Sequence, residues 1–350
     1  MTILVTGAAG FIGFHAAKRL LERGESVIGV DDLNPYYDVT LKRARLSHLE
    51  RQPGFRFHRL SVADPEAMAA LFARHNDIGP ILHLAAQAGV RYSLTNPFAY
   101  VEANVLGQLV LLETARKLKG LSGITYASSS SVYGGNEKQP FSVRDRTDRP
   151  LSLYAATKRS AELVSEAYAS LYGLALTGLR FFTVYGPWGR PDMAYSLFTE
   201  AILKGEPITV FNKGRMKRDF TYIDDILPAI VTAIEKNPAR PGENRLYNLG
   251  KGRPEPLSRF IALLEREIGK KAVKRFLPMQ PGDAVSTFAD IEEARADLAF
   301  APKTSLAEGL SRFVVWYKEY HGIESFLPPS REEPLRERRG RAAAGPRRSP

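Results

Sequence analysis

The chain has no cysteine, and its 350 residues include only five methionines and two tryptophans. Without thiols there is no disulfide framework, no thiolate metal site and no cysteine nucleophile. Long hydrophobic runs are missing as well. The longest candidates, such as Ile81–Ala86, break far short of the ~18–20 residues a membrane span requires. Thr2-Ile3-Leu4-Val5-Thr6 leads straight into a glycine-rich loop, with no basic lead segment and no cleavage site. A secretory signal is therefore not expected, and the cytoplasm is the expected compartment. The six histidines, at 15, 48, 58, 75, 83 and 321, show neither H-E-x-x-H nor paired ligand spacing, so no metal is expected.

What is present suits a globular protein. With 44% hydrophobic and 25% charged residues, the chain can build one large domain or two coupled ones, which excludes disorder of the whole. The formal net charge of +11 is uneven, because residues 331–350 hold seven Arg against three Glu. Residues 326–350 are expected to form a flexible basic tail. Its core, Arg336-Glu337-Arg338-Arg339-Gly340-Arg341, has no interleaved aromatics, so nucleic-acid binding is not expected. The remaining positive charge suits a phosphate-bearing substrate or a solvated surface.

Over the first 180 residues short β-rich runs alternate with helical patterns. Strands are expected at 2–6, 26–31, 55–60, 79–84, 122–127 and 174–180, and helices at 11–23, 40–50, 65–74, 97–119 and 152–171. This is the rhythm of βαβ units: an α/β fold with a doubly wound parallel sheet of the Rossmann type, whose ligand crevice lies beyond the carboxyl ends of the strands. After residue 181 Pro and Gly punctuate shorter elements, with helices expected at 193–204, 223–236, 256–269 and 304–320. Residues 181–325 read as a smaller α/β substrate domain that exchanges some chain with the first.

Gly7-Ala8-Ala9-Gly10-Phe11-Ile12-Gly13 follows a strand and opens a helix. Such glycines permit a tight turn and let a pyrophosphate approach bare backbone at a helix N-terminus. Asp31 closes the second strand eighteen residues after Gly13. A carboxylate there accepts from the ribose hydroxyls of NAD and repels the 2′-phosphate of NADP; otherwise Asp31 and Asp32 only cap a turn. After the third strand Ser61-Val62 stands where such proteins often carry Asp and an apolar residue, leaving Ser61 a weaker adenine contact.

Tyr154 and Lys158 lie four apart, on one face of a helix. A lysine ammonium beside the phenol favours the phenolate and makes Tyr154 a general base. Ser129 lies 25 residues upstream in Ser128-Ser129-Ser130-Ser131 and can hydrogen-bond the reacting oxygen.

With GxxGxxG, a Ser and YxxxK in order, the chain resembles the extended short-chain dehydrogenases/reductases. The likeness reaches the sugar-nucleotide epimerases over about residues 1–320 and is strongest to the NAD-dependent UDP-glucuronate 4-epimerases. It is carried by Asp31 to Asp38, by His83 to Arg91, by Arg180 to Met193 and by Met216 to Asp225. The resemblance implies transient oxidation: Tyr154 takes the proton of the sugar 4-hydroxyl, NAD takes the C4 hydride, and the flat 4-keto sugar turns over before both return. UDP-glucuronate and UDP-galacturonate then interconvert without net redox change.

The resemblance also implies the surroundings. Asn34, Leu84, Ala85, Ala86 and Asn104 belong to the cofactor side, Asn104 helping to order the site. Ser130, Ser131, Thr183 and Arg190 are candidates for holding the uronate carboxylate, with Arg190 otherwise pairing with Asp192. Arg218 resembles the family's diphosphate-binding Arg, and Asp283 ends a late motif that in many relatives reads R-x-G-D. Here Gln280 stands in place of that Arg, so one phosphate or ribose contact is altered or moved. Dehydratases carry Asp-Glu where this chain has Ser130-Ser131, and UDP-glucuronate decarboxylases usually carry Glu at the second position. Serine is no carboxylate base, so both chemistries are disfavoured. A UDP-glucose 4-epimerase, a UDP-glucuronate decarboxylase and a non-catalytic NAD-binding scaffold are the competing readings. A homodimer through helices 97–119 and 152–171 is the family tendency.

Overall fold

A computed structural model describes residues 2–280 and 282–323; the basic tail expected at 326–350 lies outside the described residues. The first half runs β1 (Thr2–Thr6), α1 (Phe11–Glu22), β2 (Ser26–Asp31), α2 (Val39–Glu50), β3 (Phe55–Arg59), α3 (Pro65–Arg74), β4 (Ile78–His83), α4 (Pro97–Tyr100), α5 (Gly107–Ala115), β5 (Gly123–Ser129), α6 (Leu153–Tyr172) and β6 (Leu176–Phe181). Local chemistry sets the boundaries. Asp64 accepts from the Glu66 and Ala67 N–H groups to start α3 at Pro65. Ser152 caps α6 through the Ala155 N–H, and Gly173 ends it in the left-handed conformation.

Seven strands form one parallel sheet, in which β10 (Asn244–Leu249) lies at one edge, in the order β10-β6-β5-β4-β1-β2-β3. The order reverses between β1 and β4, which opens a crevice at their carboxyl ends. Helices α3 and α5 and part of α6 bury one face of the sheet. The other face is covered by α1, α2 and α8 (Ile223–Lys236), and its core continues into the smaller unit.

That unit contributes β7 (Thr183–Tyr185), α7 (Ala194–Lys204), β8 (Pro207–Phe211), β9 (Lys217–Tyr222), α8 (Ile223–Lys236), β10 (Asn244–Leu249), β11 (Pro254–Pro256), α9 (Leu257–Ile268), β12 (Val273–Leu277), α10 (Glu292–Leu298) and α11 (Leu306–Tyr320). Segment 223–249 lies beyond the boundary drawn at residue 180, yet α8 packs on α1 and β10 adds the outer strand beside β6. The rest builds a three-stranded sheet, β11-β9-β7, and a parallel pair, β12-β8.

The helix expected over 97–119 is broken. Residues Val101–Leu106 widen into a π-turn between α4 and α5, and α5 stops at Ala115. The buried Asn104 sits in that turn, with its carboxamide engaged by Gln87 and Thr157.

Candidate active site

The loop from β1 to α1 is shaped by backbone alone. Gly7 adopts φ +72° and donates to the Val30 carbonyl at 2.7 Å. A Cβ at Gly7 would meet Ala85 N at 2.8 Å, and one at Gly13 would meet the Gly7 carbonyl at 2.0 Å, so side chains are excluded from both places. Gly10 precedes α1 without a side-chain cap. The first-turn N–H groups of Phe11, Ile12 and Gly13 thus remain available to an anion.

Asp31 is buried at the end of β2. Its carboxylate accepts from the Ala9 N–H at 3.2 Å and the Leu33 N–H at 2.9 Å, with Lys42 at 3.5 Å. Burial raises its pKa, while Lys42 and the two N–H groups oppose that rise. Gly7, Asp31, Asn34, Ser61, Val62, Leu84, Ala85 and Ala86 line one cavity. A bare glycine cradle, an uncapped helix end and an oriented carboxylate fit the two phosphates and the ribose of a dinucleotide.

A second cavity adjoins it, with Phe11, Ile12, Gly13, Ser129, Tyr154 and Lys158 in its wall. Ser129 ends β5 and accepts from the Ser131 N–H at 3.2 Å, which tightens the chain into a 3₁₀ turn carrying Ser130 and Ser131. Burial raises the Tyr154 pKa, while the Ser129 hydroxyl and the Arg190 charge pull it down. Lys158, expected to favour the phenolate, shares this cavity wall with Tyr154. Its ammonium donates to the Ala127 carbonyl at 2.8 Å, anchored to strand β5 rather than to the phenol. Burial lowers the Lys158 pKa to about 8, against the opposing charge of Glu162 one turn further on.

The third cavity is the substrate side. Ser129, Ser130, Ser131, Tyr154, Thr183, Arg190, Arg218 and Asp283 all face it. Arg190 lines all three cavities, but its guanidinium is engaged: Nε donates to Asp192 Oδ1 at 3.0 Å, and Tyr36 donates to Asp192 Oδ2 at 3.0 Å. Burial opposes the charge on Arg190, and Asp192 more than offsets it.

Asn104, expected to help order the cofactor side, is buried beside Gln87 of the cavity wall. Its side chain accepts from the Gln87 N–H at 2.9 Å and donates to the Gln87 carbonyl and the Thr157 hydroxyl, each at 3.0 Å. It clamps the loop after β4 to α6 and does not line the cofactor cavity. His83 is buried and bonded to the Thr6 hydroxyl at 2.7 Å, a structural histidine.

Sequence reasoning missed Arg45, which is fully buried and ties the Ala9 carbonyl at 2.9 Å to the Trp188 carbonyl at 2.6 Å, joining the cofactor loop to the loop carrying Arg190. Its position between Leu41 and Leu49 on one helical face was the available signal. Glu162 was missed too. It repeats the Tyr154–Lys158 spacing once more and binds Arg180 through two contacts, at 2.8 and 2.9 Å.

A parallel sheet with a dinucleotide cradle at its switch point and a Ser–Tyr–Lys wall beside it defines a nucleotide-dependent oxidoreductase-type site. Residues 3–250 match the NAD dependent epimerase/dehydratase family, and the chain belongs to that family. It is 47% identical to UDP-glucuronate 4-epimerase 4 of Arabidopsis thaliana over 92% of this chain and 76% of that one. It is 46% identical to a probable UDP-glucuronate 4-epimerase of Rhizobium meliloti over 91% of this chain and 97% of the other. Its fold matches the crystal structure of UDP-glucuronic acid 4-epimerase from Bacillus cereus in complex with UDP-glucuronic acid and NAD. That match has a TM-score of 0.85 and 36% identity, covering 91% of this chain and 100% of that one.

Proposed function

We propose that this protein is a UDP-glucuronate 4-epimerase, an isomerase that inverts C4 of a UDP-bound uronic acid. The observation that carries the reading is the shared wall: Tyr154, Ser129 and Arg190 face both the cofactor-side and the substrate cavities. The three relatives named above support it. Gly7, Gly10, Phe11, Ile12, Gly13 and Asp31 are the residues that would hold NAD, with Asn34, Ser61, Val62 and Leu84 to Ala86 around the adenosine. When bound, NAD supplies a hydride acceptor, and on the return a hydride donor, at the sugar C4.

The chain does the rest. Tyr154 takes the 4-hydroxyl proton onto its phenolate oxygen and returns it once the flattened sugar has turned over. Ser129 shares the hydrogen bond to the reacting oxygen, and Lys158 orients the nicotinamide ribose. Ser130, Ser131, Thr183 and Arg190 hold the carboxylate, which as part of a β-keto acid would otherwise leave as CO₂. Arg218 takes the diphosphate, with Asp283 close by. Ser130 and Ser131 place no carboxylate base beside C5, which favours epimerisation over dehydration or decarboxylation.

Residues 1–180 together with 223–249 would serve the cofactor, and the remainder up to 325 the substrate. Two copies would pair through α4, α5 and α6, whose surface exposes Phe98, Leu109, Leu163 and Leu171.

Incubation with UDP-glucuronate and separately with UDP-glucose, read by NMR, tests the reading. UDP-galacturonate should form from the first without accumulating NADH, and Tyr154→Phe should slow it roughly 10²–10⁴-fold. CO₂ with a UDP-pentose as the main product, preference for UDP-glucose, or full activity in Tyr154→Phe would each overturn it.

A further inference from the structure

The loop between β7 and α7, which places Arg190 on the substrate cavity, is held by side chains from other parts of the chain. Trp188 stands in the left-handed region, with φ +60°, a conformation a bulky residue keeps only where its surroundings impose it. The carbonyls from Pro187 to Arg190 each accept from a side chain. His15 of α1 donates from Nε2 to the Pro187 oxygen at 2.9 Å. Arg45 of α2 donates to the Trp188 oxygen from Nε at 3.2 Å and from Nη2 at 2.6 Å, and to the Gly189 oxygen from Nη2 at 3.3 Å. Ser196 of α7 donates to the Arg190 oxygen at 2.9 Å.

His15 and Arg45 both belong to the cofactor side. His15 lies in the second turn of α1, the helix that the glycine loop opens. Burial lowers its pKa to about 4, so at neutral pH the ring is uncharged and its Nε2 proton is the one Pro187 accepts. The Nη1 donors of Arg45 reach the Ala9 carbonyl of the glycine loop and the Tyr37 hydroxyl, each at 2.9 Å. Every guanidinium N–H thus meets a neutral oxygen, and one rigid fork spans the glycine loop and the loop that carries Arg190.

The carboxylate of a uronate is bonded to C5, next to the carbon that is oxidised. The group that grips it and the cofactor-side wall must therefore be placed against one another to within about an ångström. We propose that His15 and Arg45 are positioning residues for uronate selection, fixing the Pro187–Arg190 loop against the glycine loop so that Arg190 meets the sugar carboxylate. This rests on the UDP-uronate reading of the cavity. Neither residue lines that cavity; both act through the loop. A loosened grip has a definite chemical consequence. In the 4-keto sugar the C5–C6 bond breaks most readily when it stands perpendicular to the carbonyl plane: its electron pair passes toward the C4 oxygen, CO₂ leaves, and C5 takes a proton from water. A fixed loop keeps the carboxylate out of that alignment.

The test compares UDP-glucuronate, UDP-glucose and UDP binding to the NAD-loaded protein by titration calorimetry, with products followed by NMR. In His15→Leu and in Arg45→Lys, UDP-glucuronate affinity should fall roughly three- to thirtyfold, because a charge-assisted contact is misplaced rather than removed, while UDP and UDP-glucose stay within about twofold of wild type. The decarboxylated UDP-sugar formed per UDP-galacturonate should rise several-fold. His15→Gln keeps an amide donor for the Pro187 carbonyl and should recover most of the loss. If Arg45→Lys does not fold, His15→Leu, which removes a single hydrogen bond, reads the same quantities. Equal losses for all the ligands overturn the inference, since general loosening of the fold would give that result. Unchanged UDP-glucuronate affinity and unchanged by-product in the variants overturn it too, as does wild-type protein that binds UDP-glucuronate no tighter than UDP-glucose. Wild-type protein that prefers UDP-glucuronate yet forms no UDP-galacturonate defeats the proposed function, while the binding comparison still decides this inference.

Discussion

Tyr154 works against its own burial. An apolar surrounding keeps a phenol protonated, so a general base at this position needs a cation or donor close enough to offset desolvation. Ser129 and the Arg190 charge act in that direction on Tyr154, and the four-residue spacing in the sequence adds Lys158. Spacing shows which face of the helix two residues share; it does not show that the ammonium tip bends back onto a strand carbonyl. The sign of the pH effect follows. Removing the Arg190 charge leaves burial less opposed and raises the Tyr154 pKa, so the phenolate forms only at higher pH. In Arg190→Gln the rising limb of kcat against pH should therefore move to higher pH, while Arg190→Lys, which keeps a charge, should move it less. A limb that stays in place in Arg190→Gln would return the role to Lys158 or to the bound cofactor.

At the scale of elements, α6 carries more than its two catalytic candidates. Tyr154, Lys158 and Glu162 recur every four residues, and the third is a buried carboxylate accepting from Arg180, Arg159 and the Ser128 hydroxyl. Burial alone would raise the Glu162 pKa, but Arg180 and the other donors outweigh it and hold the carboxyl below its usual range. Truncating one partner of such a pair strands the other charge in a dry interior. Glu162→Ala should thus cost about 3–5 kcal/mol of stability in urea unfolding, and a loss under about 1 kcal/mol would show the pair to be dispensable. This network was not legible from the sequence, where Glu162 passes for an ordinary exposed helical residue. Strands such as β1 were legible as short apolar runs: Thr2–Thr6 is buried at every residue. Beyond residue 181 the four expected helices form, but the strands were not legible, for physical reasons. β7 and β11 span three residues each, too few to show alternation, and β12 is exposed along its whole length. The break in helix 97–119 was equally hidden, since a π-turn is held by a tertiary contact, Asn104 on Gln87, and leaves no local mark.

At the scale of the molecule, α4, α5 and α6 present an apolar surface that the single chain does not cover. Phe98 is 83% exposed and Leu171 71%, with Leu109 and Leu163 also open to solvent on these helices and Val101 and Leu106 in the turn between α4 and α5. Large apolar side chains scattered singly need no partner, but a set concentrated on adjoining helices marks an association surface. A second copy is the simplest partner, because a two-fold axis through that surface buries the same residues on both sides. The consequence for catalysis is indirect but physical. Helix α6 carries Tyr154 and Lys158, and the π-turn after α4 holds Asn104 against Thr157 of α6, so pairing of these helices would stiffen the wall that holds the base. Phe98→Asp puts a charge at the most exposed point of the patch. In sedimentation it should convert a dimer to monomer at micromolar concentration, since losing a large aromatic contact at such a surface costs roughly 2–4 kcal/mol. Activity should fall with dilution in step with the monomer fraction. Wild-type protein that sediments as a monomer at those concentrations would leave the patch without a self-partner, and a Phe98→Asp variant that stays dimeric would move the interface elsewhere on the surface.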